Sequence, residues 1–115
     1  LLDIYLMVLY TIYRIKKDGR TIYVGSTNNF KRRCKEHKRN YGEDCSFESI
    51  YEYDCDRLFA RCIEKYFIEH FSCPNNKVKP VSYKNWRLYG KDVYNLITED
   101  DIIRIRFNRP TLTNS

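Results

Sequence analysis

Tyr13, Tyr23, Arg33, His37, Glu64 and an asparagine at 75 or 76 are the residues whose types and order suit chemistry on a phosphate. A tyrosine hydroxyl can hold an attacking water in line or accept its proton. Positive charge nearby favours the phenolate, lowering a pKa from about 10 toward useful values. An arginine fork can grip a phosphate through two parallel hydrogen bonds and stabilise charge building on its free oxygens. Arg33 and His37 stand four residues apart, which puts both on one helix face. A near-neutral pKa suits His37 to proton relay, or to hydrogen bonding with a tyrosine hydroxyl or a phosphate. Glu64 has Ala60, Phe67 and Ile68 as helical neighbours, so its carboxylate emerges through a largely apolar patch. A salt bridge to Arg33 or Arg61, or a metal, is expected to compensate it. A lone carboxylate with several waters suits Mg²⁺.

Each residue also has a plainer reading. Tyr13 and Tyr23 are two of eleven tyrosines, and strand tyrosines mostly pack. Arg33 lies in a run with Lys31, Arg32, Lys35, Lys38 and Arg39, and such runs are commonly solvated faces. Glu64 on periodicity alone fits a structural ion pair ahead of a metal ligand.

The elements that must position these groups follow from pattern. Residues 6–16 and 20–25 are rich in Val, Ile, Thr and Tyr and read as two strands joined near Asp18-Gly19. Register decides whether the tyrosines of the duplicated Thr-Ile-Tyr triplet meet. A two-residue loop sets Tyr13 against Val24 and the tyrosines on opposite faces. A three-residue loop, Lys17-Asp18-Gly19, sets Tyr13 directly across from Tyr23, with Val8, Tyr10, Ile12, Ile22 and Val24 on the core face. The expectation is the three-residue loop. Asn28 or Thr27 is expected to cap a helix through FKRRCKEHKRN, with Phe30, Cys34 and His37 as a narrow stripe. SFESIYEY (46–53) alternates imperfectly and reads as a third strand. Asp54 or Asp56 is expected to cap a helix in which Leu58, Phe59, Cys62, Ile63, Tyr66 and Phe67 recur at helical spacing. Farther on, Thr98-Glu99-Asp100-Asp101 looks like a helix start, whereas Ile103, Ile105 and Phe107 alternate like a strand. The expectation is a short helix.

A chain of 115 residues is sized for one domain. Lys and Arg outnumber Asp and Glu by 21 to 15, a net charge of +6, which favours a polyanionic partner. Five cysteines without a C-x-x-C pair argue against a disulfide framework or zinc ribbon and for an intracellular, cytoplasmic or nuclear, location. A mixed zinc site drawing on Cys34, His37, His70 or Cys73 competes with the ordinary role of cysteine as a small core residue. The opening LLDIYLMVLY is interrupted by Asp3 and is too short for a membrane span of about twenty residues. It carries no basic leader or small-residue cleavage site.

Taken together, Thr11-Ile12-Tyr13, Tyr23-Val24-Gly25-Ser26-Thr27, Arg33-x-x-x-His37, Glu64 within ARCIEKYFI and Asn76 in PNNKVKP resemble the GIY-YIG nuclease superfamily over roughly residues 8–80. The resemblance implies an α+β fold, a small three-stranded antiparallel sheet flanked by helices, and metal-dependent hydrolysis of a DNA phosphodiester. It implies that Tyr13, assisted by His37, activates or positions water, that Tyr23 hydrogen-bonds the reacting phosphate region, and that Arg33 stabilises the transition state. Glu64 would hold one Mg²⁺ or Mn²⁺, and Asn76 would fill the late asparagine role, with Asn75 and Asn95 as fallbacks. Thr11 replaces the family's first glycine, which bears on strand packing.

The expected function is an Mg²⁺-dependent DNA endonuclease domain, monomeric when isolated. Its phosphate contacts would come from Lys31, Arg32, Lys35, Lys38 and Arg39. Without an initiator Met, a flanking DNA-recognition domain is a natural companion. Residues 81–115 match no motif; completing the core is their expected role, ahead of an added DNA-contacting surface. The rivals are a nuclease-like module that binds nucleic acid without cutting, and a basic protein-interaction domain.

Overall fold

The computed structural model describes residues 7–73, 75–76 and 80–106. The chain runs β1 (Val8–Lys17), β2 (Arg20–Thr27), α1 (Phe30–Tyr41), β3 (Cys45–Cys55), α2 (Arg57–Phe71), α3 (Tyr83–Leu96) and α4 (Glu99–Arg106). The expected α+β class holds: the three strands form one antiparallel sheet in the order β2-β1-β3. Leu6 and Phe107, which the sequence pattern assigns to elements, lie outside the described residues.

The hairpin corrects the expected register. Lys17 pairs with Arg20, so the loop has two residues, Asp18 and Gly19. Both have positive φ, 53° and 76°, the signature of a type I′ turn whose twist matches the flanking strands. A plain ladder from this turn would have set the tyrosines on opposite faces. Instead the register shifts between Ile15 and Lys16: Lys16 pairs with Thr21, and Ile15 with Tyr23. Ile22 is the extra residue of a β-bulge, and bulges re-aim the side chains beyond them. Tyr23 therefore joins Tyr13 on one face, but diagonally; Gly25, not Tyr23, stands directly across from Tyr13. Ile22 packs with Tyr13 and Ile15 rather than with Ile12 and Val24.

A second bulge explains the imperfect alternation of β3. Ile12 pairs with Tyr51 and Tyr13 with Ser49, leaving Ile50 unpaired and turned into the core. The sheet is covered on both faces. Ile12, Val24 and Ile50 pack against Cys62, Ile63 and Phe67 of α2, and against Val93, Ile97 and Ile105 of the last two helices. On the other face, Tyr13 and Ile15 pack with Phe30 and Tyr41 of α1.

Helix boundaries follow from capping groups that satisfy free backbone N–H. Asn29, not Asn28 or Thr27, caps α1 by accepting from the Arg32 amide at 3.1 Å. Thr27 supports the cap by accepting from the Asn29 amide at 3.0 Å. Asp56 caps α2 through the Phe59 amide at 2.8 Å. Thr98 and Asp101 form a reciprocal capping box that starts α4. Helix α3 was not anticipated, although Ser82 caps it and Trp86, Tyr89, Val93 and Ile97 mark its inner face at helical spacing. Of the stretch after 80, residues 81–106 add Val81, Val93, Ile97 and Ile105 to the core. Buried Arg14 ties the end of α4 to the sheet, donating to Glu48 Oε2 at 2.8 Å and to the Ile105 carbonyl at 3.0 Å.

Replacing Asp18 by Val tests the two-residue turn, because a β-branched residue resists positive φ. We expect a loss of about 1–2 kcal/mol in urea unfolding; an unchanged midpoint would rule this turn out.

Candidate active site

A cleft of about 680 Å³ opens along β2, one of the two edge strands. Its lining includes Tyr13, Tyr23, Ser26, Arg33, Glu64 and Asn76, with Arg32 from α1 and Arg57 and Arg61 from α2. The groups reach it from both faces of the sheet. Tyr13 and Tyr23 stand on the α1 face, whereas Glu64 comes from α2 on the other.

Gly25 is what allows this. A Cβ built there would sit 2.4 Å from the Tyr13 hydroxyl and 2.6 Å from ring carbon Cζ. The phenol therefore lies across the bare backbone of β2, and its hydroxyl reaches the edge. There it meets His37 Nε2 at 2.8 Å. The His37 ring packs among Tyr13, Tyr23 and Tyr41, with ring centroids 5.3–5.6 Å from its own. Its other nitrogen, Nδ1, is buried and has no hydrogen-bond partner.

Electrostatics in the cleft follow burial. Desolvation pushes the Tyr13 phenol well above its usual pKa, the Tyr23 hydroxyl and Glu64 add to the rise, and the Arg33 charge offsets only part of it. Tyr23 rises for the same leading reason. The expectation that arginine would make a phenolate accessible is thus corrected: taking an anion out of water outweighs a half-exposed guanidinium. Burial lowers the His37 pKa, and Arg33 lowers it further, so the imidazole is held neutral.

Glu64 is also corrected in one respect. Neither Arg33 nor Arg61 pairs with it. Arg33 Nη1 instead bonds Glu36 at 2.8 Å, and among the described residues no cation forms an ion pair with Glu64. Its carboxylate accepts from Ser26 Oγ at 2.6 Å. Burial raises its pKa, while the Ser26 hydroxyl and the charges of Arg61 and Arg33 hold it down in part. Ser26 stands in the sequence motif without an expected role; its place one residue past the glycine was the available signal.

Asn76 is committed to the backbone. Its amide accepts from the Val24 N–H and donates to the Val24 carbonyl, both at 2.9 Å, and the Asn75 amide bonds the Ile22 carbonyl at 3.0 Å. These contacts pair the free edge of β2 much as a further strand would. Asn95 lies on α3 and does not line the cleft. Of the expected phosphate-binding residues, Arg32 lines the cleft, while Lys31, Lys35, Lys38 and Arg39 are exposed on α1. The sequence pattern assigned Arg57 no role and Arg61 only that of an ion-pair partner. Their spacing with Glu64, at i, i+4 and i+7, was the available sign of a shared face.

The family model of the GIY-YIG catalytic domain matches residues 7–89. No curated protein and no solved structure gives a significant match.

A methyl group at position 25 would have to displace a buried ring. Gly25→Ala is expected to cost about 1–3 kcal/mol by overpacking, read from urea unfolding. Wild-type stability in this variant would mean that Tyr13 does not lie across the strand.

Proposed function

The chain belongs to the GIY-YIG family, whose members are nucleases acting on DNA, and from that premise we propose that it is a metal-dependent DNA endonuclease. The observation that carries the reading is the Tyr13 hydroxyl seated on neutral His37 at 2.8 Å, in one cleft with Tyr23, Arg33 and Glu64.

Because its pKa is raised, Tyr13 works as a neutral phenol and its bond to His37 supplies the route for a proton. Water hydrogen-bonded to the Tyr13 oxygen attacks phosphorus. As it does, the phenol takes the water's proton and passes its own to His37 Nε2, which low solvation has kept free to accept it. The bond from phosphorus to the 3′ oxygen breaks, and that oxygen leaves and is protonated by solvent, giving a 5′ phosphate and a 3′ hydroxyl. Tyr23 hydrogen-bonds the phosphate, and Arg33 stabilises the charge on its non-bridging oxygens. Asn76 positions rather than reacts, by holding the β2 backbone between Tyr23 and Gly25.

Glu64 fits a divalent cation. It is a half-buried carboxylate facing the cleft, with a raised pKa and no ion-pair partner among the described residues. Among those residues no three His, Cys, Asp or Glu side chains gather into a cage, so Glu64 would be the single protein carboxylate and water would complete the coordination. That suits Mg²⁺ or Mn²⁺. Bound there, the ion would neutralise charge and ease departure of the 3′ oxygen.

Two measurements test this reading. Glu64→Gln keeps the hydrogen bond from Ser26 but removes a charge that burial disfavours. Its folded pKa lies above the unfolded value, so the ionised form weakens the fold at neutral pH. The variant should therefore raise Tm while losing plasmid nicking in Mg²⁺; nicking at the wild-type rate would sink the proposal, and a wild type that binds DNA without nicking would favour the binding-module rival.

The second is a pH–rate profile. The rate should climb through the acidic range as His37 and Glu64 shed protons, then stay flat between about pH 8 and 10, where an unperturbed phenol begins to ionise. A steady rise across that alkaline range would instead indicate a phenolate base.

A further inference from the structure

The two walls of the cleft differ in how much of their positive charge is free. On the α1 wall, Arg32 and Arg33 both reach Glu36, at 3.6 and 2.8 Å. Lys31, Lys35, Lys38 and Arg39 stand outside the lining. On the α2 wall, Arg57 and Arg61 line the same cleft, and neither side chain has a hydrogen-bond or ion-pair partner among the described residues. Arg61 is near enough for its charge to act on Glu64, yet it makes no ion pair with it. Its guanidinium donors are therefore unspent, and an arginine carries five of them in a fixed fork. Two guanidinium groups without a partner among the described residues, in a concave wall beside a carboxylate, are suited to receive an anion.

Their spacing says what kind. Arg57, Arg61 and Glu64 follow one face of α2, separated by about 6 Å and about 4.5 Å along the helix axis. A row of cations at that separation suits a polymer of phosphates rather than one small anion. We infer that Arg57 and Arg61 form a phosphate subsite on α2 that grips the backbone of the cut strand immediately beside the phosphate at Glu64. The inference rests on the nuclease reading and moves the main grip on the substrate from α1, where the sequence suggested it, to α2. Glu36 keeps the arginines of α1 partly neutralised. The α2 pair meets incoming phosphates at full charge, and Arg33 is left to the reacting phosphate.

The test uses a duplex DNA oligonucleotide. Binding is followed by fluorescence anisotropy in the Glu64→Gln background, so that no cutting intervenes, and cleavage by the otherwise wild-type chain in Mg²⁺. Arg57→Gln and Arg61→Gln should each weaken binding by roughly tenfold and reduce the slope of log affinity against log salt by about 0.9 for each phosphate no longer neutralised. Arg61→Lys should restore the slope but not the full affinity. In cleavage, neutral methylphosphonates walked along the cut strand should raise KM at one or two positions next to the scissile phosphate. That penalty should vanish in the Arg57→Gln/Arg61→Gln pair. If wild-type protein cuts DNA but the arginine variants keep its affinity, salt slope and methylphosphonate pattern, the subsite is overturned and the nuclease reading stands. If wild-type protein neither binds nor cuts DNA, both fall together.

Discussion

The phenol of Tyr13 lies across the bare backbone of Gly25 and hydrogen-bonds His37, and the other groups of the cleft are placed relative to that contact. A sheet divides its side chains between two faces, so residues from α1 and α2 would ordinarily be kept apart by the strands between them. The division fails at Gly25, where no side chain stands and where β2 is the sheet edge. Tyr13 arrives from one face and Glu64 from the other. Ser26, the next residue along β2, binds Glu64 at 2.6 Å, so a two-residue stretch of strand aligns both halves of the site.

Around that contact the protein limits solvent, and the chemistry follows. Partial burial of Tyr13, Tyr23 and His37 favours their neutral forms against the pull of Arg33 on the tyrosines. A buried hydroxyl bonded to a neutral imidazole is suited to moving a proton and poorly suited to carrying a lasting charge. The same desolvation disfavours the charged form of Glu64, which the Ser26 hydroxyl and the charges of Arg61 and Arg33 offset only in part. Asn75 and Asn76 pair the open edge of β2, and Arg14 fastens α4 against the back of the sheet.

Much of this was legible along the chain. The strands, the first two helices and the start of α4 followed from alternation, helical spacing and capping residues, all of which act between near neighbours. The residues of the site were legible as types in order: two tyrosines, an arginine and histidine four apart, and an acid on an apolar helix face. Helix α3 escaped because its stripe of Trp86, Tyr89, Val93 and Ile97 is interrupted by polar and glycine residues. Its packing against α2 was needed to reveal the inner face. The shared face of Tyr13 and Tyr23 was anticipated through a register the molecule does not use: the turn is shorter by one residue and the bulge at Ile22 compensates. Parity survives when two such one-residue changes cancel.

The sequence by itself determined the strands, the first two helices, the start of α4 and which side chains can bind or move a proton, because propensity, capping and residue type are local properties. Tertiary structure alone decided the protonation preferences, the partners and the free charges. Tyr13 keeps its proton because of what buries it, Arg33 turns to Glu36, and Arg57 and Arg61 line the cleft without an ion-pair partner among the described residues. Desolvation and pairing depend on distances between groups far apart in the chain, and those distances exist only once the sheet edge, its bulges and its covering helices have come together.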